Sequence, residues 1–314
     1  MLRAAGLRLL AVIPIVLGVT MICFVLMFVA PGDPIQTLLP DNASPEVIAL
    51  LRHHYGLDRP LPVQYLVWLG HLLQGDLGTS IGTGRPVAGE LGAAIGNTAI
   101  IAIGAAIIGF SIGIGCGLLA GVHRGGWIDR IASAFALCGL SVPQYWLGIV
   151  LVILFSVTLN WLPAMGMGPR GLSWHWQELR NLVMPIATLS LIPAGIVTRI
   201  TRDRVAELLR QDFVRTLRAQ GLAGHAILRH VLKNAAPPIL AVMGLQLGYL
   251  FGGSILVETV FNWPGVGFLM SNAILRRDQP MLQGTILVLA LGFVFLNLLV
   301  DLLQSGIDPR MRRG

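Results

Sequence analysis

Long apolar runs recur along this 314-residue chain and alternate with short polar segments. Each run is close to the ~20 residues that an α-helix needs to cross a bilayer core. The third run is long enough to require a tilt or a kink, and Pro143 supplies a cause. The fourth is short and contains Pro185 and Pro193, so the pattern does not define its ends. The predicted transmembrane helices, about six, cover residues 9–30, 99–122, 131–159, 182–198, 237–257 and 284–303.

The polar segment after the first run, residues 31–98, is too long for a simple connection. Its pattern predicts one helix from Ser44 to about Tyr55 and another from Pro62 to Gln74. Such helices either anchor at the membrane surface or form a lid over a pathway. We therefore divide the chain into 1–98, a transmembrane helix with a structured extracytoplasmic segment, and 99–314, a transmembrane core. One face of the second short helix comprises Tyr65, Trp68, Leu69 and Leu72.

Composition supports a polytopic membrane protein, because 55% of the residues are hydrophobic and 12% are charged. With the N-terminus inside, 15 of the 22 Lys and Arg residues fall on cytosolic pieces. The positive-inside rule therefore predicts that both termini are cytosolic. The net charge of +7 reflects this topology and does not indicate nucleic-acid binding. The three cysteines lie inside apolar runs, which indicates packing.

The second predicted span carries a row of small residues spaced four apart. Glycine costs roughly 1 kcal/mol relative to alanine in a helix, so such a row indicates close approach of another helix. That helix could belong to this chain or to a second subunit. The row consists of Gly109, Gly113, Gly117 and Gly121, extended by Ala105.

The chain lacks the residues that two kinds of catalytic chemistry require. The pattern G-x-S-x-G occurs around Ser111, which would suit an intramembrane hydrolase, but the motif requires a strand–turn–helix elbow and these residues lie in a helical run. None of the seven histidines falls within a predicted span to serve as a base. A P-loop requires a lysine after a glycine-rich turn, and Lys233 is the only lysine. No His/Cys/Asp cluster has metal-ligand spacing, so we expect no metal site.

A self-energised carrier or channel usually places ionisable groups at mid-membrane depth. The nearest acids here, Glu258 and Asp301, fall at span ends. The chain therefore needs an external source of energy. Polar residues inside the spans are candidates for a translocation pathway, although interhelical hydrogen bonds explain each of them equally well. These candidates are Ser141, Pro143, Gln144, Tyr145, Gln246, Tyr249 and Ser254.

A basic segment, residues 199–236, interrupts the apolar pattern and holds eight of the 22 Lys and Arg residues. An apolar residue every four positions from Val205 predicts one amphipathic helix up to Ala219. Gly221 then breaks it, and a second helix is expected from about His225 until Pro237. Anionic lipid could hold such a region. A glycine break between two apolar stripes favours a docking element for a cytosolic protein instead.

The segment Phe213–Gly221, followed by His230–Ala235, resembles the EAA loop of bacterial ABC importer permeases, in the dipeptide/oligopeptide/nickel branch. Leu217 stands where that family usually has an alanine. The resemblance extends in order over nearly the whole chain. Its other motifs are Pro31–Pro34, Tyr55–Pro60, Gly75–Gly78, Arg85–Val87, Ser141–Pro143, Phe261–Gly267 and Arg277–Pro280.

The resemblance implies an all-α type I ABC-importer transmembrane domain in a bacterial inner membrane. Its partners would be a second permease, two cytosolic ATPases that bind ATP and Mg²⁺, and an extracytoplasmic substrate-binding protein; this chain would need no cofactor. The implied cargo is dipeptides or short oligopeptides, with glutathione, nickel chelates and opine-type metallophores as alternatives. The implied ATPase-docking residues are Phe213, Arg215, Thr216, Leu217, Arg218, Gly221 and Leu222.

Overall fold

The structure is a computed structural model that describes residues 2–29, 44, 46, 58–168 and 176–307. The helix predicted from Ser44 to Tyr55 and the side chain of Asp301 lie outside the described residues. The described chain is helical, apart from an isolated bridge between Thr79 and Pro86. Its helices are α1 (Leu2–Val29), α2 (Leu61–Leu73), α3 (Val87–Val122), α4 (Trp127–Ser141), α5 (Gln144–Leu151), a π-helical stretch (Val152–Thr158), α6 (Trp176–Leu208), α7 (Asp212–Ala219), α8 (Gly224–Val260), α9 (Val266–Arg276) and α10 (Gln279–Ile307).

Over the described residues, four helices are long and apolar enough to cross a membrane, namely α3, α6, α8 and α10. The pair formed by α4 and the helix Gln144–Thr158 makes a fifth if it is counted as one span. The first predicted span falls on α1, whose described apolar stretch is Val12–Val25. The all-helical membrane architecture predicted from the apolar runs is therefore confirmed.

The third span is broken sharply. Its two helices, Trp127–Ser141 and Gln144–Thr158, meet at an angle of 101°. Pro143 lacks a backbone N–H, and its ring forces the preceding residue out of the helical region. Val142 accordingly has an extended conformation, with φ −83° and ψ 121°. The predicted kink is confirmed, and it is large enough to separate two helices.

Prolines do not interrupt two other helices. The fourth predicted span, 182–198, lies within α6, which runs unbroken past Pro185 and Pro193 for 33 residues. The prediction that the second basic-segment helix stops at the Pro237-Pro238 pair is wrong, because α8 continues for 37 residues. The cause is a continuous packing stripe that passes the pair. Its members, all buried, are Ile227, Val231, Ala235 and Ile239.

The chain divides into two compact units, residues 98–263 with 293–314, and residues 2–97 with 264–292. The division into 1–98 and 99–314 stays a prediction. In the first unit the glycine row of α3 lies against α6. A Cβ added at Gly109 would stand 2.8 Å from the carbonyl oxygen of Ser190, and one at Gly117 would stand 2.6 Å from that of Thr198. Two helix backbones approach here at a distance that only glycine permits.

In the second unit α2 packs on α1, as its apolar face predicts. The Tyr65 hydroxyl lies 2.9 Å from Thr20 Oγ1, and Phe24 contacts the Tyr65 ring edge-to-face. Trp68, Leu69 and Leu72 are half-buried on the same face. A separate core of this unit comprises Val87, Leu91, Ala94, Val266, Ala273 and Met281.

The connection from Gln74 to Pro86, also in the second unit, is held by one carboxylate. Asp278 is 4% exposed and accepts hydrogen bonds from the Ser80 hydroxyl and from the Gly82 N–H at 2.9 Å. It also caps α10 by accepting the Met281 N–H at 3.2 Å. A single buried acid therefore fixes both a surface loop and a helix N-terminus.

Candidate functional site

The basic segment forms a compact hinge between α6 and α8. A turn at residues 209–211 ends α6, the eight-residue α7 follows, and Gly221 adopts a left-handed conformation with φ +79°. The Leu222 N–H reaches back to the Leu217 carbonyl at 3.2 Å, which closes the C-terminus of α7. The predicted break at Gly221 is confirmed, and the second helix begins at Gly224, one residue before the predicted position.

One part of the prediction for this segment is wrong, because no single helix runs from Val205 to Ala219. Val205 and Val214 are both fully buried in the same core. A regular helix turns about 100° per residue, so nine residues would place these two side chains on opposite faces. The turn at 209–211 reverses that placement and brings Val214 onto the core that Val205 occupies.

The inner face of α7 anchors the segment to the chain's own core. Val214 is fully buried, and Phe213, Leu217 and Leu222 pack against the same cluster half-buried. Three residues predicted to dock a partner therefore also hold the segment in place. Val214, absent from that prediction, is its deepest anchor. The prediction missed Val214 because this residue comes directly after Phe213 and falls outside the four-residue spacing of the apolar positions.

The outer face of α7 is polar and open to solvent. Arg215, Thr216, Arg218 and Gly221 are all exposed. Arg215 forms an ion pair with Asp212 at 3.4 Å, but both side chains are largely in solvent and such a pair contributes little to stability. No described atom lies within 4 Å of a Cβ added at Gly221. The segment thus presents a polar surface with exposed arginines, anchored by its inner face and with free space around it.

Asp129 and Arg202 form a partly buried ion pair between α4 and α6 that was not predicted. The guanidinium donates from Nε to Oδ1 at 2.7 Å and from Nη2 to Oδ2 at 2.9 Å, and the Gly125 N–H donates to Oδ2 at 2.9 Å. Asp129 precedes the predicted span 131–159, whereas the observed helix α4 begins at Trp127 and includes it. One sequence signal existed, since Asp129 is the only acid between 123 and 130.

The predicted pathway residues do not share one environment. At the break in the third span, Ser141 and Pro143 are exposed, Tyr145 is half exposed, and Gln144 is buried. Along α8, Gln246 is buried, Tyr249 is 39% exposed, and the Ser254 hydroxyl bonds to the Phe251 carbonyl at 2.9 Å. The Nε2 groups of Gln144 and Gln246 have no hydrogen-bond partner among the described residues.

Two further polar residues in the first unit bear on the predictions. Glu258 is fully buried near the end of α8, and the Thr98 hydroxyl donates to its Oε1 at 2.7 Å. This acid therefore joins α8 to α3. Ser111 lies exposed inside the continuous helix α3, so the strand–turn–helix elbow that a hydrolase nucleophile needs is absent around it.

Two family models match the chain. Residues 113–313 match the binding-protein-dependent transport system inner membrane component, and residues 1–101 match the N-terminal part of that membrane component. The long apolar helices and this match define a multi-pass membrane permease. The chain belongs to the family of binding-protein-dependent transport system inner membrane components, which are permease subunits of bacterial inner membranes.

Relatives are similar over almost the full length. A dipeptide transport system permease protein, DppB, of Alkalihalophilus pseudofirmus is 40% identical and covers 99% of this chain and 100% of its own. A glutathione transport system permease protein, GsiC, of Salmonella choleraesuis is 39% identical, with 97% of each chain covered.

A solved structure shares the fold. It is an inward-facing MetNI methionine ABC transporter, with a TM-score of 0.56 at 21% identity over 69% of this chain and 96% of that chain. The likeness establishes an ABC-importer transmembrane fold.

Proposed function

We propose that this chain is a translocation subunit of an ATP-driven importer that moves dipeptides or short oligopeptides into the cytosol. An extracytoplasmic binding protein would deliver the peptide, and a second permease would complete the pathway. Two separate ATPase subunits would bind ATP and Mg²⁺ and hydrolyse the nucleotide. Both termini and the α7 segment would face the cytosol, as the distribution of positive residues predicts.

The observation that carries this proposal is that α7 has one buried face and one exposed face. Its inner face is anchored by the fully buried Val214, whereas Arg215, Thr216 and Arg218 point to solvent. A partner that presses on the outer face would therefore displace the helix together with the core behind it. A loosely attached loop would deform instead and transmit no force.

The motion would pass into the membrane along two continuous helices. The core cluster that holds Val214 includes Val205 of α6 and Val231 of α8. The Asp129–Arg202 pair braces α6 against α4 close to the same segment. When the ATPases close on ATP, α7 would move and the cavity would turn from inward-facing to outward-facing. Opening after hydrolysis would reverse the change.

The proposed cargo is inferred from the relatives that this chain resembles. The dipeptide permease is named for dipeptides and the glutathione permease for a peptide-like thiol. The buried Gln144 and Gln246 amides have unpartnered donors, which suit carbonyl and carboxylate oxygens of a peptide. Glutathione is the second candidate because that relative is almost as similar. Nickel chelates and opine-type metallophores are the remaining candidates.

Gly221→Trp tests the docking proposal. A Cβ at Gly221 meets no neighbouring atom within 4 Å, but φ +79° strains any residue other than glycine, so membrane insertion and folding of the variant are measured first. Docking should fail, and ATPase activity of the reconstituted complex should no longer respond to loaded binding protein. Gly125→Trp is the matched control, since Gly125 also has positive φ and open surroundings. Wild-type peptide uptake by Gly221→Trp would overturn the proposal.

Competition measurements test the cargo. The partner binding protein is titrated with a dipeptide, a tetrapeptide, oxidised and reduced glutathione, and a nickel chelate under one set of conditions. We expect the tightest binding for the dipeptide or the tetrapeptide. Tightest binding of glutathione or of the chelate would reassign the cargo while leaving the importer mechanism in place.

A further inference from the structure

A cleft in the first unit opens between α4 and α6, with a volume of about 220 Å³. It lies at the end of α6 that leads to α7, and Arg202 of the Asp129–Arg202 pair lines it together with Asp203. Two kinds of wall meet in it. Leu137 and Leu140 form an apolar part, and Ser133, Thr198 and Arg199 form a polar part.

The polar wall holds an unsatisfied buried hydroxyl. Thr198 is 1% exposed, and its Oγ1 finds no hydrogen-bond partner in the described part of the chain. Thr201 of α6 is buried and unpartnered as well, whereas Thr188 donates to the Met184 carbonyl at 2.8 Å. Of the two unpartnered hydroxyls, Thr198 is the one that lines the cleft. Leaving a buried hydroxyl without a partner costs at least as much free energy as an ordinary hydrogen bond contributes to stability. We therefore expect a ligand or a water molecule to bind the Thr198 hydroxyl.

The same wall holds an arginine that forms no ion pair of its own. Arg202 is neutralised by Asp129 and by Asp203, whose Oδ1 lies 2.7 Å from Nη1. Arg199 is exposed and pairs with no carboxylate whose side chain the structure describes. The cleft therefore combines the unpaired Arg199 guanidinium and a buried hydroxyl donor with an Asp203 carboxylate that Arg202 already binds.

The apolar wall indicates that the anionic group belongs to a molecule with an apolar part. Leu137 is 59% exposed and Leu140 is 39% exposed on a helix that belongs to a membrane span. Apolar side chains beside a guanidinium and two hydroxyls match a phospholipid, whose acyl chain follows the leucines while its phosphate meets Arg199. Basic clefts between helices at the cytosolic membrane surface bind anionic headgroups in this way.

We propose that this cleft binds the phosphodiester of an anionic phospholipid from the cytosolic leaflet. Arg199 supplies the ionic contact, and the Thr198 and Ser133 hydroxyls donate to the phosphate oxygens. An ordered lipid there would tie α4 to α6 beside the existing ion pair. Lipid binding at this cleft requires no ATPase, binding protein or peptide. The lipid proposal is therefore tested separately from the proposed function.

The test is a lipid titration of the full-length chain in detergent, read by native mass spectrometry, with phosphatidylglycerol and phosphatidylcholine as probes. We expect one phosphatidylglycerol to bind in preference to phosphatidylcholine. Arg199→Gln should weaken that binding about fivefold, in line with the contribution of one basic residue near a membrane surface. Arg210→Gln is the matched control, because Arg210 is an exposed arginine close by that does not line the cleft. Thr198→Val should give a smaller loss.

Three outcomes would overturn the proposal. Equal weakening by Arg199→Gln and Arg210→Gln would indicate diffuse surface charge. Equal affinity for the two lipids would exclude recognition of the phosphate charge by this cleft. If inorganic phosphate at millimolar concentration displaced the bound phosphatidylglycerol, the cleft would be a site for a free anion. Size-exclusion profiles identical to that of the unmodified protein establish that each variant is folded.

Discussion

Two surface connections of this permease are held in place by opposite means. The α7 segment is anchored by apolar burial, with Val214 fully inside the core of the first unit. The connection from Gln74 to Pro86 in the second unit is anchored by a buried carboxylate, Asp278, which accepts from a hydroxyl and two backbone N–H groups. Both connections use glycines with positive φ.

The difference bears on what each connection can do. Apolar anchoring is non-directional, so α7 can shift together with the core beneath it and remain attached. Hydrogen bonds to Asp278 depend on direction and distance, so that connection has one geometry and loses its contacts when displaced. The first arrangement suits an element that transmits motion, and the second suits a fixed one.

Val214→Asp should have the largest effect. A carboxylate in an apolar core costs several kcal/mol, so we expect α7 to detach and to lose about 3 kcal/mol or more of local stability. Hydrogen exchange of the α7 amides in the full-length protein measures this. Thr216→Asp introduces the same charge on the exposed face of the same helix and should leave exchange nearly unchanged. Equal exchange in the two variants would contradict apolar anchoring.

Asp278→Ala should have an intermediate effect. It leaves the Ser80 hydroxyl and the Gly82 and Met281 N–H groups without their acceptor, for a loss of about 2 kcal/mol of local stability. The Gly82 and Met281 amides should exchange faster, while the α7 amides should not respond. Asp278→Asn keeps one acceptor oxygen in place and should lose less than Ala does. Were Asn as damaging as Ala, one acceptor oxygen would be insufficient and the connection would need both carboxylate oxygens.

Arg215→Gln should have the smallest effect on stability. Its ion pair with Asp212 is exposed, so its removal should cost below about 0.5 kcal/mol and leave α7 exchange unaltered. Coupling of ATPase activity to peptide transport should fall nevertheless, because the residue lies on the proposed docking face. A variant that loses protection as Val214→Asp does would show that the outer face is structural.

The sequence predicts the elements that depend on local pattern. The apolar runs, the kink at Pro143, the break at Gly221 and the apolar face of α2 all follow from periodicity and from the conformations that proline and glycine allow. The structure confirms these four features. Each depends on residues that are close together along the chain.

The missed features depend on contacts between distant residues. The turn at 209–211 contains neither glycine nor proline, and only the shared core of Val205 and Val214 explains it. The continuation of α8 past Pro237 follows from tertiary packing that outweighs a local helix-breaking preference. Asp129 and Arg202 are 73 residues apart in the chain, and Ser80 and Asp278 are 198 apart. Nothing in their local spacing indicates that they meet.

Site-specific photo-crosslinking tests the central claim most directly. A photoreactive amino acid is placed at Arg218, on the outer face of α7, or at Arg85, an exposed residue of the carboxylate-anchored connection. Both proteins are expressed with the partner ATPases and irradiated in intact membranes. We predict an ATPase adduct from position 218, with a yield that changes on addition of ATP, and none from position 85. An adduct from position 85 in the absence of one from position 218 would contradict the account.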